Sequence, residues 1–449
     1  MSLYTNFVSN VFFPLHEKLK KHDTVRIRKE LERSQWLSTD KILEQQSARL
    51  QHFLSNLYIN NTFIKKLFDE NGVHVSDIKS ASDLQKLPFM TKAVIKDNFD
   101  SLLSKNAKAV SKFSTGGSSG NPLIFLLGKE RVSHDVAEKW RATRWWNVDI
   151  GDKEIVAWGS PIELSKQDKV KAIRDKFLRT HLIPAFDLSD ESVLSFLDEI
   201  KQTCPKMLFG YPSVFAMLAK KAIEKQIDMS KCGIKVVFVT SERLYDYQRE
   251  DIEKAFNAPV ANGYGGRDAG FIAHECPEGS LHVSAEDIVV EIVDENLNPV
   301  KPGEEGEIVV THLGTSDFPF IRYRTGDIAN YSTKSCKCGR GLPALENIQG
   351  RSTDFVYKAD GTKMHGLSLI YVLREIDGIE EFKITQNSLT SIDVEVVPTT
   401  IISNDIENEI VDGLKKRLGI SVEINVVSVF ALIPEKSGKY RYVICKVGS

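Results

Sequence analysis

Ser114-Thr115-Gly116-Gly117-Ser118-Ser119-Gly120-Asn121-Pro122 sets glycines and hydroxyls directly ahead of the apolar run Leu123-Ile124-Phe125. Glycine lets successive backbone N–H groups turn toward one anion, and the hydroxyls add further donors. That is the chemistry of holding nucleotide phosphates. No Gly-Lys-Ser/Thr triplet closes the loop, so it is not a Walker loop. Taken alone, the same residues also suit a flexible Ser/Gly surface loop.

Four more chemistry-bearing clusters follow in order: Tyr264-Gly265-Gly266-Arg267-Asp268, Tyr323-Arg324-Thr325-Gly326-Asp327, Gly350-Arg351 and Ser437-Gly438-Lys439. Lys439 taken on its own reads better as a solvated lysine than as a catalytic one. A separate cluster is thiol-rich: Cys336-Lys337-Cys338-Gly339, with Cys276 and His282 upstream and His274 close by. Two thiolates from a tight turn plus Cys276 and His282 would make a tetrahedral Cys₃His zinc site. Cys-x-Cys is less diagnostic than Cys-x-x-Cys, and reduced, unligated cysteines in a β-rich loop fit as well.

The elements that must position these residues follow from periodicity. Apolar spacing through Ile42–Phe53 and Phe63–Phe68 is helical, and Thr91 caps the helix that follows Leu87-Pro88. From Phe113 onward strands alternate with helices: Leu123–Leu127, the helix Val132–Trp146, Lys206–Phe209, the helix Ser213–Ile223, Ile234–Val239 and the helix Tyr245–Phe256. Such alternation predicts an α/β architecture with substantial parallel sheet. After Gly270 strands at His282-Val283, Ile288–Val293 and Gly306–Thr311 are separated by turn residues, as in a β-rich subdomain. The last hundred residues predict a small α+β unit of split βαβ type: helix Leu367–Ile376, strands Glu381–Thr385 and Ser391–Val397, helix Asp405–Leu418, strand Glu423–Val429. The expected domains are 1–350 and 351–449.

The bulk properties bound the rest. A chain of 449 residues has room for two or three compact units, and 42% hydrophobic with 27% charged residues is a globular composition. A net charge of −2 gives no basic surplus for nucleic acid. No apolar run approaches the ~20 residues of a membrane span. Val8–Leu15 is short and expected to pack on the body of the protein. The start of the chain does not read as a signal peptide, and six cysteines are sparse for a disulfide scaffold, so a reducing, cytoplasmic setting is expected. Cys204, Cys232 and Cys445 read as small core residues.

In order and spacing the motifs resemble those of the adenylate-forming superfamily of acyl-CoA synthetases. Within it the chain most resembles the phenylacetate–CoA ligase branch, including homologues from capsular polysaccharide clusters. The resemblance implies ATP and Mg²⁺, with a large adenylating domain and a small mobile α+β domain that rotates between half-reactions. By that resemblance Ser114, Thr115, Gly116, Gly117, Ser118, Ser119 and Gly120 would cradle the β- and γ-phosphates. Tyr264, beside Gly263 and Gly265, would stack on adenine, and Ser241, Glu242 and Arg243 would line the adenine site. Asp327, with Arg351 nearby, would take the ribose hydroxyls. Asp268 stands where the family usually has Glu and would serve Mg²⁺ with a reach one methylene shorter. Lys439 would stabilise charge at the α-phosphate during adenylation, with Lys436 its main competitor. The hinge falls near Thr353 and Asp354, Thr353 replacing the usual acidic residue.

The resemblance further implies structural zinc at Cys276, His282, Cys336 and Cys338, as in some relatives. It places the acid near Trp158-Gly159-Ser160, Tyr211-Pro212-Ser213 and Gly263-Tyr264; Trp158 and Tyr211 suit a small or flat acyl group, or plain core packing. The expected reaction is activation of a carboxylic acid to an acyl-adenylate, then transfer to coenzyme A, an amine or a carrier protein acting in trans, with polysaccharide precursor assembly as one setting. An adenylyltransferase passing on AMP itself, or a non-catalytic nucleotide-binding relative, are the other outcomes of the same motifs.

Overall fold

Val236–Val239 is apolar without alternation, the pattern of a strand covered on both faces, and all five residues of its strand are buried. The computed structural model describes residues 2–115, 123–158, 169–185, 190–351, 355–361, 363–374, 376–399, 402–432 and 442–447. They fall into two compact units, Met1–Ile348 and Gln349–Ser449.

In the larger unit β1 (Ser111–Ser114) and β2 (Ile124–Leu127) form an antiparallel hairpin. The strands β3 (Glu154–Trp158), β4 (Thr180–Pro184), β5 (Met207–Gly210), β6 (Val236–Thr240) and β7 (Val260–Gly266) run parallel. Helices Pro212–Glu224 and Asp246–Phe256 link β5 to β6 and β6 to β7, as a parallel crossover requires. Next come β8 (Gly270–Glu275), β9 (Leu281–Val283), β10 (Ile288–Val293), β11 (Gly306–His312), β12 (Tyr323–Tyr331) and β13 (Ala344–Arg351). The β-rich run continues the same sheet: one eleven-stranded sheet has the order β10-β11-β12-β13-β9-β8-β7-β6-β5-β3-β4. Its antiparallel half begins where β7 turns back into β8.

The smaller unit holds a hairpin of β14 (Phe355–Tyr357) and β15 (Lys363–His365). It also has a four-stranded sheet of β16 (Ile379–Ser388), β17 (Ser391–Pro398), β18 (Glu423–Ser428) and β19 (Val443–Cys445) in the order β18-β17-β16-β19. The helix Asn404–Leu418 carries the chain from β17 to its parallel neighbour β18 and buries Ile410, Leu414 and Leu418 at four-residue spacing. The mixed α/β class and the small α+β unit follow the reading of the sequence.

Two local expectations are corrected. Val8–Leu15 packs on the body only in part: Val8 and Phe13 are buried, whereas Val11 and Leu15 are exposed. Cys204 is exposed rather than in the core, while Cys232 is buried and Cys445 half-buried.

Candidate active site

Parallel strands present a crevice at their carboxyl ends, and those ends carry the residues singled out in the sequence. β3 ends on Trp158, β5 runs into Tyr211, β6 is followed by Ser241 and Glu242, and β7 carries Gly263, Tyr264 and Gly265. A Cβ at Gly210 would lie 2.2 Å from the Ala157 carbonyl oxygen, so only glycine lets β5 approach β3 there. Just beyond, Tyr211 stacks on Trp158 with ring centroids 4.7 Å apart and 25° between planes. Pro212 opens the next helix, where its missing N–H is no loss. The Glu242 Oε2 accepts from the Ser213 backbone N–H at 3.2 Å, placing a carboxylate at that helix N-terminus. The Ser213 hydroxyl is buried without a hydrogen-bond partner among the described residues. Ser241 adopts φ 71°, a left-handed conformation rare for a side-chain-bearing residue and concentrated at functional turns.

Two tyrosine–aspartate pairs join the strand ends to β12. The Tyr264 hydroxyl donates to Asp327 Oδ2 at 2.8 Å, and the Tyr323 hydroxyl donates to Asp268 Oδ2 at 2.7 Å. Burial, followed by the Asp327 carboxylate, holds the Tyr264 phenol well above its ordinary range, so it stays a neutral donor. Asp268 Oδ1 also accepts from the Ala269 N–H at 3.1 Å. Behind this turn the buried Arg131 guanidinium donates to the carbonyls of Arg267 and Asp268, both at 3.4 Å. Neither Tyr323 nor Arg131 has a role assigned from the sequence. Tyr323 precedes Asp327 by four residues on one strand, a spacing that could have prompted the pairing; Arg131 gave no signal.

At the expected phosphate loop, β1 and β2 pair from Ser111↔Leu127 to Ser114↔Ile124, and the Leu123 N–H donates to Thr115 Oγ1 at 2.9 Å. Ser114 and Thr115 thus sit at the mouth of that hairpin. Gly116–Gly120, Gly159, Ser160, Thr353, Asp354, Lys436 and Lys439 lie outside the described residues, as does the Arg351 side chain, whose backbone ends β13.

The thiol cluster assembles from three segments. Cys276 follows β8, His282 lies on β9, and Cys336 and Cys338 lie between β12 and β13. Their ligand atoms all fall within 4.8 Å of one another. Cys276 Sγ is 3.6 Å from Cys336 Sγ, and His282 Nε2 is 3.2 Å from Cys338 Sγ. Tetrahedral zinc with Zn–S of about 2.3 Å spaces its sulfurs by roughly 3.8 Å, so the donor set fits. The His282 Nδ1 donates to the Leu342 carbonyl at 2.9 Å when Nε2 carries the lone pair, which aims Nε2 at the thiols. His274 is not among the four; it lies on β8 opposite Gly263.

Residues 178–316 match the family model for AMP-binding enzymes, and residues 356–446 match the CapK C-terminal domain. Protein CapK of Staphylococcus aureus is 27% identical over 418 residues, covering 90% of this chain and 89% of that protein. The phenylacetate-coenzyme A ligase of Aromatoleum evansii is 23% identical over 439 residues, covering 92% and 97%. In fold the chain resembles the crystal structure of 2-hydroxyisobutyryl-CoA ligase in its postadenylation state with R3-HIB-AMP: TM-score 0.74, 19% identity, 92% and 91% coverage.

Proposed function

Because the chain belongs to the adenylate-forming superfamily, in its phenylacetate–CoA ligase-like branch, and is an AMP-forming ligase of that family, we propose that it joins a small carboxylic acid to coenzyme A by way of an acyl-adenylate. In the first step a carboxylate oxygen attacks the α-phosphorus of ATP and pyrophosphate leaves. In the second the coenzyme A sulfur attacks the acyl carbonyl, AMP leaves, and the thiol proton passes to solvent.

The observation that carries this reading is the convergence of Trp158, Tyr211, Glu242 and Tyr264 at the ends of β3, β5, β6 and β7, with Asp268 and Asp327 tied in by tyrosines. Tyr264 would offer its ring to adenine and Asp327 its oxygens to the ribose. Asp268 would hold Mg²⁺, whose charge neutralises the phosphates; its protein contacts to Tyr323 and Ala269 orient the carboxylate for that role. The stacked Trp158–Tyr211 pair and the unpartnered Ser213 hydroxyl would shape the acid pocket. Lys439 is assigned to the adenylation step on the resemblance alone, and the phosphate cradle of Gly116–Gly120 likewise. A domain boundary near Gly350, a cytoplasmic setting and zinc at Cys276, His282, Cys336 and Cys338 complete the proposal, the metal serving structure because all four positions are filled by protein.

A second reading rests on the resemblance to homologues from capsular polysaccharide clusters, beside which residues 356–446 match the CapK C-terminal domain: the same adenylate passed to an amine in polysaccharide precursor assembly. Pyrophosphate release with Mg²⁺-ATP over aromatic, short aliphatic and amino acids, with and without coenzyme A, separates them. Acid-dependent release that rises with coenzyme A supports the thioester route. Release indifferent to coenzyme A supports the amine route. Absence of ATP binding would count against both, and a Lys439→Ala variant that adenylates at the wild-type rate would remove the lysine from the step.

A further inference from the structure

The first helical segment of the chain leaves an apolar ridge uncovered. Leu3, Phe7, Val11, Leu15 and Leu19 recur every four residues and are 91, 54, 52, 56 and 76% exposed. In a pure α-helix such a row drifts about 40° at each step. Here Leu3–Phe7 and Phe13–Leu19 are α-helical, but Val8–Phe12 is a π-helix, whose wider turn rotates each residue less. That insertion holds the row nearer one line over roughly 24 Å.

Other side chains of the segment anchor it to the body of the protein. Thr5 Oγ1 donates to Asp152 at 2.8 Å, and the Tyr4 hydroxyl donates to the Phe177 carbonyl at 2.9 Å. Phe13 meets Trp140 edge-on at 5.1 Å, and Val8 packs where a Cβ at Gly151 would lie 2.6 Å from it. The ridge is therefore a fixed feature of the surface. Phe12 stacks on Phe177 at 5.1 Å, and the neighbouring helix Lys169–Leu178 adds Ile173 and Phe177, 60 and 49% exposed. A row of five exposed large apolar side chains on one short segment is more than the scattered single hydrophobics of ordinary surface.

Charge identifies the partner. Residues 2–22 contain one acid, Glu17, and it is buried, bonded to Thr24, His16 and His22. Lys18, Lys20, Lys21 and Lys176 are all exposed. On the adjoining helix Asp175 is held by Arg174. An exposed apolar row that ends in Lys18, Lys20 and Lys21 and has no exposed acid along residues 2–22, on a chain of net charge −2, combines the apolar and basic features of a helix that lies in a membrane interface. No described helix is long and apolar enough to cross a membrane. We propose that this face docks onto an anionic lipid surface, with Leu3, Phe7, Val11, Leu15 and Leu19 entering the headgroup boundary and the lysines meeting lipid phosphates. The site at the ends of β3, β5, β6 and β7 would then work beside a membrane, independently of which acid it takes.

The test is sedimentation of the full chain with vesicles of phosphatidylcholine alone and of phosphatidylcholine mixed with phosphatidylglycerol. Binding is expected to the anionic vesicles only, to weaken with added salt, and to fall by about tenfold or more in Phe7→Asn/Leu15→Asn. Melting of that variant at the wild-type temperature shows that the exposed changes leave the fold intact. No binding to anionic vesicles, or equal binding by the variant, would overturn the proposal. So would a dimer in light scattering that the variant dissolves while vesicles stay unbound, which would assign the ridge to a second copy of the chain.

Discussion

The Tyr264 hydroxyl on β7 donates to the Asp327 carboxylate on β12 at 2.8 Å, joining two residues sixty-three positions apart that the proposed function sets against the adenine and the ribose of one nucleotide. The bond orients Asp327 before any ligand arrives. A hydrogen bond to a charged group contributes about 1.5–3 kcal/mol. Tyr264→Phe keeps the ring and loses the bond, so ATP affinity, measured by isothermal titration, is expected to fall about tenfold. Asp327→Asn, which also loses the charge, should cost more. Equal binding by both variants would mean that nucleotide does not contact this pair.

The thiol cluster makes a separate prediction about composition. Purified protein is expected to carry near-stoichiometric zinc by elemental analysis, and Cys336→Ser to lose most of it. Chelation should lower the melting temperature of the wild type and leave that of Cys336→Ser little changed, because metal binding contributes directly to folding. Metal-free protein with an unaltered melting temperature would remove zinc from the account.

His312 predicts the direction of one acid response. It is buried, and that burial, reinforced by Arg131, pushes its imidazole down to about 4. Its Nδ1 accepts from the Gly314 N–H at 3.1 Å, and its Nε2 faces Asp135 at 3.8 Å. The folded value lies below the unfolded one of about 6.5. The contribution to stability is therefore complete above pH ~6.5 and lost as pH falls toward 4. His312→Asn keeps an acceptor and cannot titrate. It should lose less stability than wild type between those limits, by on the order of 2 kcal/mol in urea unfolding. Glu138, pushed up to about 8 by burial, tilts the same window the other way, so the difference between wild type and variant isolates the histidine. Parallel pH profiles would show that His312 titrates normally.

Much of this architecture was legible because its elements are locally consistent. Val236–Val239 is apolar throughout, Pro212 starts its helix, and Asn404–Leu418 has Ser403 as its cap, with the side chain accepting from the Ile406 N–H. The Cys₃His cluster was legible from residue types, although only the pairing of β8, β9 and β13 brings Cys276 and His282 to the Cys336–Cys338 turn. Glu154–Trp158 and Thr180–Pro184 were not read as strands; Lys153, Glu154 and the Arg179–His181 stretch dilute the apolar signal, and their sheet partners supply the reason for the conformation. The continuity of the eleven-stranded sheet was likewise beyond reach, because the reversal at Gly266–Gly270 looks in sequence like any glycine-rich turn. At the first helix the apolar residues were visible but not which of them faced outward, since the π-turn at Val8–Phe12 breaks the 3.6-residue phase.

His274 shows where burial and polarity conflict. It is 1% exposed, its ring lies 5.4 Å from Phe271 and 6.0 Å from Phe238, and neither ring nitrogen has a hydrogen-bond partner among the described residues. A buried polar group left unpaired costs about 1–3 kcal/mol, and an apolar residue of similar size removes that cost. Leucine is close to histidine in volume, and the neighbours Phe238 and Phe271 would accept a methyl-bearing side chain. His274→Leu is therefore expected to raise the unfolding free energy at pH 7 by about 1–2 kcal/mol, measured in urea with an unchanged slope. A loss of stability instead would mean that the imidazole nitrogens are paired in solution, by water or by a group that enters beside Gly263, and that this histidine belongs to the site rather than to the core.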